Sequence, residues 1–135
     1  MKKSLFLLLA VGVVLILAVG LSAKDRDLGT KGKAWLDAHN EPAAINVNGD
    51  WQAKSWGKVV LNQAQGSRDL AGKSGDWDIS GVVSGKQVFL LFSYQDKVNY
   101  SAELTSESEA SLNGSYSKGF MSEKTKGRSM HLTKQ

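Results

Sequence analysis

The chain has 135 residues, with 17 Lys and Arg against 13 Asp and Glu and no Cys. This length suits one modest domain. The positive balance is too small for a nucleic-acid-binding surface, so nucleic acid is not an expected partner. The lack of Cys excludes disulfides, thiol catalysis and Cys-based zinc sites.

An export or membrane segment opens the chain. Lys2 and Lys3 precede an uncharged apolar run from Leu5 to Leu21. The basic start and the small residues that end at Ala23 are typical of a cleaved signal peptide. The length of the run approaches the roughly 20 residues that span a bilayer as a helix, which favours an uncleaved N-terminal anchor. Residues 1–23 are therefore predicted as a signal peptide or an apolar anchor helix. Both alternatives export the following domain to the periplasm or the outside of the cell, and the anchor adds a membrane contact through the apolar run, residues 5–21.

Residues 24–46 are charged and mixed in character. Glycines and alternating charges predict a linker in the first part. The run 34–39 can form a short helical turn before Pro42, and its Trp35 and Leu36 would then dock on the domain. The tract is predicted as a linker with one possible short helix.

From residue 47 onward, the apolar residues recur with a period of two. This alternation is typical of strands with one buried side. Turn-forming pairs interrupt the runs about every 8–12 residues, which is the spacing of an all-β meander with antiparallel neighbours. Eight strands are predicted, near residues 47–53, 55–64, 68–73, 76–83, 87–94, 98–105, 110–117 and 127–134.

An open meander would leave two edge strands with unpaired backbone groups, and closure into an up-and-down barrel pairs them. Residues 47–135 are therefore predicted as one all-β domain, an antiparallel meander of about eight strands that closes into a small barrel. Gly72, Gly81 and Gly114 each follow an apolar residue by two positions. In a strand, such glycines indicate a bend or a close approach of a neighbouring backbone.

A Gly-Asp-Trp run at residues 49–51 lies in the first predicted strand, and Arg128 lies in the last. Together they resemble the Gly-x-Trp and late-Arg pattern of the calycin superfamily, which includes lipocalins, avidins and small bacterial metalloprotease inhibitors. The resemblance implies a small barrel closed at one end by Gly49, Trp51 and Arg128, with the Arg packed across the Trp. Arg128 shares the parity of Met130, which lets it point inward.

The chain also resembles small exported bacterial β-meander domains of unassigned function. They share runs of the form Trp-Gly-x-Val-x-Leu-x-Gln and Ile-x-Gly-x-Val-x-Gly. Here these runs occupy residues 56–63 and 79–85. The shared runs are structural, so this second resemblance implies a fold and no particular chemistry.

Residue types that carry catalysis or metal binding are sparse. His39 and His131 are the two histidines, and no Ser lies in a recognisable nucleophile elbow. Asp76 and Asp78 flank Trp77 without a third ligand nearby, so they are interpreted as solvated strand residues. The chain is predicted to bind without catalysing, with no metal and no cofactor.

Trp77, Phe92 and Tyr100 fall on predicted inward faces and are candidate walls of a ligand site. A barrel of about eight strands is just wide enough to be filled or to hold one small ligand. A filled core is favoured because a short domain needs its apolar side chains for stability.

Three function classes follow, of which a hydrolytic enzyme ranks lowest because the residues for its chemistry are lacking. The other two rest on this candidate site and on the N-terminal tract. The first is a non-catalytic exported protein that holds a small apolar molecule in a lipocalin-like barrel. The alternative is a protein-interaction module, such as a protease inhibitor or an envelope structural protein, that contacts an envelope protein through its N-terminal tract.

Overall fold

In the computed structural model, the described residues, 29–135, form a closed barrel of eight strands preceded by one helix. The elements are α1 (Gly29–Asp37), β1 (Gly49–Ala53), β2 (Gly57–Asn62), β3 (Asp69–Ser74), β4 (Trp77–Ser84), β5 (Gln87–Tyr94), β6 (Lys97–Ser108), β7 (Ser111–Lys118) and β8 (Arg128–Lys134). Each strand pairs antiparallel with its neighbour in the chain, and β1 also pairs antiparallel with β8. The predicted all-β meander of eight strands that closes into a barrel is confirmed.

The predicted signal peptide or anchor helix, residues 1–23, lies outside the described residues. Within residues 29–135, no helix combines the length and the apolar character needed to cross a bilayer.

The seam that closes the barrel is short. It runs from the pair Trp51–Lys134 to the pair Ala53–Leu132 along β1 and β8. These three pairs join the two strands that would otherwise be edges, so the sheet closes on itself.

Three strand glycines allow the barrel wall to coil tightly. A Cβ on Gly72 would lie 2.0 Å from the Val60 carbonyl oxygen, and a Cβ on Gly114 would lie 1.9 Å from the Glu103 carbonyl oxygen. Gly81 has the same relation to β5, at 2.4 Å from a carbonyl oxygen. The close backbone approach predicted at these positions is confirmed, and it excludes any side chain there.

The barrel interior is filled by the inward side chains of the strands. Five inward side chains away from the far ends of β4 and β5 are at most 1% exposed and follow the predicted alternation: Ile79, Val83, Val88, Leu90 and Phe92. Burying such side chains supplies about 1.5–3 kcal/mol each relative to the exposed state. The expectation of a filled core is confirmed for this part of the barrel.

The outward faces of β4 and β5 are also buried, which simple alternation does not predict. Val82, Phe89 and Leu91 are at most 3% exposed beneath α1, whose Leu36 is fully buried. Trp35 packs edge-on against Phe89, with ring centroids 5.9 Å apart. A run of apolar residues without polar alternation, such as the one in β5, needs cover on both faces.

The predicted docking of Trp35 and Leu36 is confirmed. The helix begins at Gly29, earlier than the predicted helical turn. The Trp35 Nε1–H donates to the Met121 carbonyl oxygen at 2.8 Å, which ties α1 to the loop before β8. In the tract predicted as a linker with one possible short helix, residues 24–46, the described part holds α1 and packs on the barrel.

His39 follows α1 and stacks face to face on Phe89, with ring centroids 3.5 Å apart and ring planes 5° apart. Burial lowers the pKa of His39 below its ordinary value of 6.5, the Glu103 carboxylate opposes this shift, and the Arg68 guanidinium adds to it. Arg68 also donates a hydrogen bond to the His39 carbonyl oxygen. The fold therefore favours the neutral imidazole.

Residues 42–48 cover one end of the barrel, the closed end, where β1 begins. The Gly85 N–H donates to the Pro42 carbonyl oxygen at 3.0 Å, and the Ala44 N–H donates to the Gly85 carbonyl oxygen at 2.8 Å. Val47 is 2% exposed and joins the interior core. The closed end is thus sealed by chain that precedes the first strand.

Gln63 fastens this segment. Its Oε1 accepts from the Val47 N–H at 2.8 Å, and its Nε2 donates to the carbonyl oxygens of Ile45 at 3.2 Å and Ser67 at 2.8 Å. Its backbone N–H donates to Asn48 Oδ1 at 2.9 Å. A buried amide needs such partners, because an unpaired polar group inside a protein is costly.

Candidate ligand-binding site

The opposite end of the barrel, the mouth, is formed by the β1–β2, β3–β4 and β5–β6 turns and by the loop 119–127. Inward strand positions near this end carry aromatic rings: Trp77 begins β4, Tyr94 ends β5, and Tyr100 and Tyr116 lie in β6 and β7. Tyr and Trp combine an apolar ring with a polar tip, so they suit a position that is half in the core and half in water.

Trp56, in the β1–β2 turn, folds over the interior and plugs it. Its indole stacks on Phe92 with ring centroids 4.2 Å apart and planes inclined by 22°. Trp77, Tyr100 and Tyr116 meet it edge-on, with ring centroids 5.6, 5.5 and 5.5 Å away. Trp56 is therefore the centre of the aromatic cluster and separates the core from the mouth.

A hydrogen bond from β3 and a glycine in the turn place Trp56 in this position. Its carbonyl oxygen accepts from Ser74 Oγ at 3.0 Å, and Gly57, with φ of +70°, turns the chain from the indole into β2. The indole Nε1–H is buried and has no partner within residues 29–135. An unpaired buried donor costs about 1–3 kcal/mol, so ring packing holds the indole in place against that cost.

The rings enclose an open depression of about 490 Å³, the aromatic bowl. Its aromatic lining is Trp56, Trp77, Tyr94, Tyr100 and Tyr116. The rest of its lining comes from the β1–β2 turn, the end of β3 and the β3–β4 turn, and consists of Ser55, Ser74, Gly75 and Asp76. This volume lies within the range of small-molecule sites, about 300–1,000 Å³. The bowl is shallow because Trp56 forms its floor.

A second depression of about 290 Å³, the cationic cleft, adjoins the bowl. Tyr100 and Tyr116 line both, so the two form one continuous surface. The rest of the cleft is lined by Ser117, Lys118, Lys126 and Arg128. Three cations thus lie on one side of the mouth.

The structure brings two of the three predicted ligand residues to this site. Trp77 and Tyr100 line the bowl. Phe92 is fully buried beneath Trp56, so it supports the floor and does not face the bowl. Sequence reasoning missed Trp56, which lies in a turn, and Tyr116, although its parity with the inward Leu112 was a usable signal.

The predicted contact between Arg128 and Trp51 is wrong. Arg128 begins β8 at the mouth, opposite Tyr116, whereas Trp51 pairs with Lys134 at the other end of β8. Arg128 and Lys134 are six positions apart along the extended strand, which is about 20 Å. The cation over the Trp51 ring is Lys134, whose Nζ lies 5.7 Å from the ring centroid. Parity identified the face of Arg128 but not its position along the barrel axis.

Gly49 and Trp51 lie at the closed end, in the strand that completes the barrel. Trp51 is 1% exposed, and its Nε1–H donates to the Val47 carbonyl oxygen at 2.9 Å. Gly49 has φ of +142°, and the Lys134 side chain passes 3.0 Å from the place where a Cβ would stand. The absence of a side chain at Gly49 therefore allows Lys134, which covers Trp51, to pass close to the backbone.

The carboxylates and histidines noted in the sequence do not converge. Asp78 pairs with Lys73 at 3.6 Å, and His131 bonds to Asn113 on the neighbouring strand. Within the described range 29–135, no three His, Asp or Glu side chains are grouped so that they could hold a metal ion.

Comparisons with protein-family models, with curated proteins and with solved structures found no match. The closed antiparallel barrel of eight strands is compatible with a calycin-like fold.

Proposed function

We propose that this protein is a non-catalytic binding protein that holds a small amphipathic or apolar ligand in the mouth of a calycin-like barrel. The observation that carries the proposal is the gathering of aromatic side chains around one open depression. All three tyrosines and two of the four tryptophans of the chain line the bowl. Small-molecule sites have this character, with aromatic walls and a few polar groups.

The ligand lies on the floor of the bowl and does not enter the barrel. Phe92 and the side chains below it are fully packed, and Trp56 covers them. A flat ring or a short apolar chain on Trp56 would contact Tyr100 and Tyr116 from the side. The unpaired Trp56 Nε1–H is a donor that a small rotation of the indole would offer to a ligand oxygen.

The N-terminal tract supports this function over the protein-interaction alternative. That alternative uses residues 34–46 as a free contact arm. In the described residues, Trp35 bonds to the loop before β8, Arg68 holds the His39 carbonyl oxygen, and Ala44 bonds to Gly85. A tract docked in this way is committed to its own barrel.

The proposal places the barrel outside the cytoplasm, in the periplasm or beyond the cell. Lys2, Lys3 and the apolar run 5–21 support export. Intact-mass analysis of cell fractions tests this. A soluble exported protein whose mass begins near Lys24 indicates a cleaved signal peptide, and a full-length mass in the membrane fraction indicates an anchor. A full-length protein in the cytosol would refute export.

Titration with N-phenyl-1-naphthylamine tests the bowl, because this neutral aromatic probe fluoresces when it enters an apolar site. We expect saturable binding. Tyr100→Ala and Trp77→Ala should each weaken it at least about tenfold, since one large aromatic contact contributes on the order of 1.4 kcal/mol. Trp35→Phe, on the outside of the barrel, is the matched control and should bind like the parent. Binding that does not saturate, or that ignores the bowl variants, refutes the proposal.

A further inference from the structure

The cationic cleft gives the mouth a strong charge asymmetry. Lys118 ends β7, Lys126 lies in the loop that follows, and Arg128 begins β8, so three neighbouring stretches of chain deliver three positive charges to one cleft. Among residues 29–135, none of those that line the cleft carries a carboxylate. Asp76 lies across the bowl, on the β3–β4 turn.

These cations are not used by the fold. All three are exposed, and within residues 29–135 none of them forms an ion pair. Like charges that face one another repel, so the arrangement lowers stability in the absence of an anion. Arg128 also occupies an inward position of β8, in line with the buried Met130 and Leu132, where a barrel filled for stability alone would place an apolar residue.

The cleft and the bowl share their aromatic wall. Tyr100 and Tyr116 line both, and Trp56 contacts both rings. One molecule can therefore lay its carbon skeleton on the rings and place a charged end in the cleft. The Arg128 guanidinium suits a planar or tetrahedral oxyanion because its N–H groups form a fork. Asp76 would repel an anion from the opposite rim and so favour a single orientation.

We infer that the ligand of the bowl is an amphipathic anion. Its ring or apolar body lies on Trp56, Tyr100 and Tyr116, and its carboxylate, sulfonate or phosphate lies among Lys118, Lys126 and Arg128. This inference rests on the proposed function and adds the charge and the orientation of the ligand. The anion is a free small molecule, since the bowl is a concave site for one ring system and the cleft beside it encloses one head group.

A matched pair of fluorescent probes tests the inference on the protein purified in the form that the cell exports. The anion 8-anilinonaphthalene-1-sulfonate has the same ring body as neutral N-phenyl-1-naphthylamine and adds one sulfonate. We expect the anion to bind at least about fivefold more tightly, which is what one close charge pair contributes in water. Raising the NaCl concentration from about 0.05 to 0.5 M should weaken the binding of the anion and leave the affinity for the neutral probe unchanged.

Three charge variants locate the effect. Arg128→Gln should remove most of the preference for the anion without weakening the neutral probe, and Arg128→Lys should retain part of it. Lys86→Gln removes an exposed charge at the closed end and should change neither affinity. Tyr100→Ala should weaken both probes.

The outcomes separate the two proposals. If both probes bind equally and Arg128→Gln has no effect, the bowl remains a binding site and the inference about charge is overturned. If neither probe saturates, both proposals fail. If phosphatidylglycerol vesicles bind the parent but not Arg128→Gln, while the soluble anion shows no preference, then the cations recognise a lipid surface and the free-anion inference is overturned.

Discussion

Replacing Gln63 tests how the closed end of the barrel is held. Its side chain is 5% exposed and joins the segment before β1 to the loop after β2 through Val47, Ile45 and Ser67. Gln63→Leu keeps a similar volume and removes all three side-chain hydrogen bonds. We expect the variant to fold with a weakened closed end.

The magnitude follows from the burial of each partner. The buried Val47 N–H loses its Gln63 acceptor, and an unpaired buried donor costs about 1–3 kcal/mol. The Ile45 and Ser67 carbonyl oxygens are in partly buried bonds and can accept from water, so each loses about 0.5–1 kcal/mol. The free energy of unfolding should therefore fall by about 2–5 kcal/mol, a large part of the 5–15 kcal/mol of a typical domain.

Urea denaturation followed by tryptophan fluorescence measures this loss. Gln65→Leu is the matched control, because Gln65 is exposed two residues further on. It should change the free energy of unfolding by no more than about 0.5 kcal/mol. In a thermal melt, Gln63→Leu should lower Tm by at least about 8 °C. Equal stability of the two variants would refute the view that this amide fastens the closed end.

Three further predictions concern the wall, the helix contact and the seam. Gly114→Ala should lower the free energy of unfolding by at least about 2 kcal/mol, because its Cβ would lie 1.9 Å from a carbonyl oxygen of β6; a loss under about 0.5 kcal/mol in urea would contradict the close approach. Stability should decline as pH falls below 6.5 toward the lowered pKa of His39, because the unfolded chain binds a proton that the folded state resists. His39→Phe keeps the ring stack and should remove this part of the decline. The difference in urea midpoint between the two proteins should therefore change as the pH falls below 6.5. A difference that stays constant with pH would exclude His39 as the source. Lys134→Ala should lower the free energy of unfolding by about 0.5–1 kcal/mol, because it removes the cation over Trp51, whereas Arg128→Ala should change it by no more than about 0.5 kcal/mol. Thermal melts compare the two variants. A larger loss for Arg128→Ala than for Lys134→Ala would restore Arg128 as the closing cation.

The local alternation of apolar residues was enough to predict the strands and which of their side chains point into the barrel. Side chains alternate along any extended strand, so the parity of Ile79 and Val83, or of Val88 and Leu90, identifies the inward face without knowledge of the neighbours. Gly72 was predictable for a similar reason, since a strand glycine marks a place where another backbone comes close. The same alternation identified Trp77 and Tyr100 as candidate site residues without knowledge of the other residues that line the bowl.

The alternation of side chains could not predict where a residue lies along the barrel axis, or which outward side chains are buried by chain outside the barrel. Arg128 and Trp51 share an inward orientation, but the register of β8 against β1 and β7 puts them at opposite ends. Trp56 lies in a turn, where no period applies, and it becomes the floor of the bowl because Phe92 and the mouth rings offer it a stack. The helix α1 covers β4 and β5 because Val82, Phe89 and Leu91 on their outward faces are apolar and are removed from water beneath it. Register, closure and docking depend on contacts between residues far apart in the chain, whereas alternation depends only on neighbours.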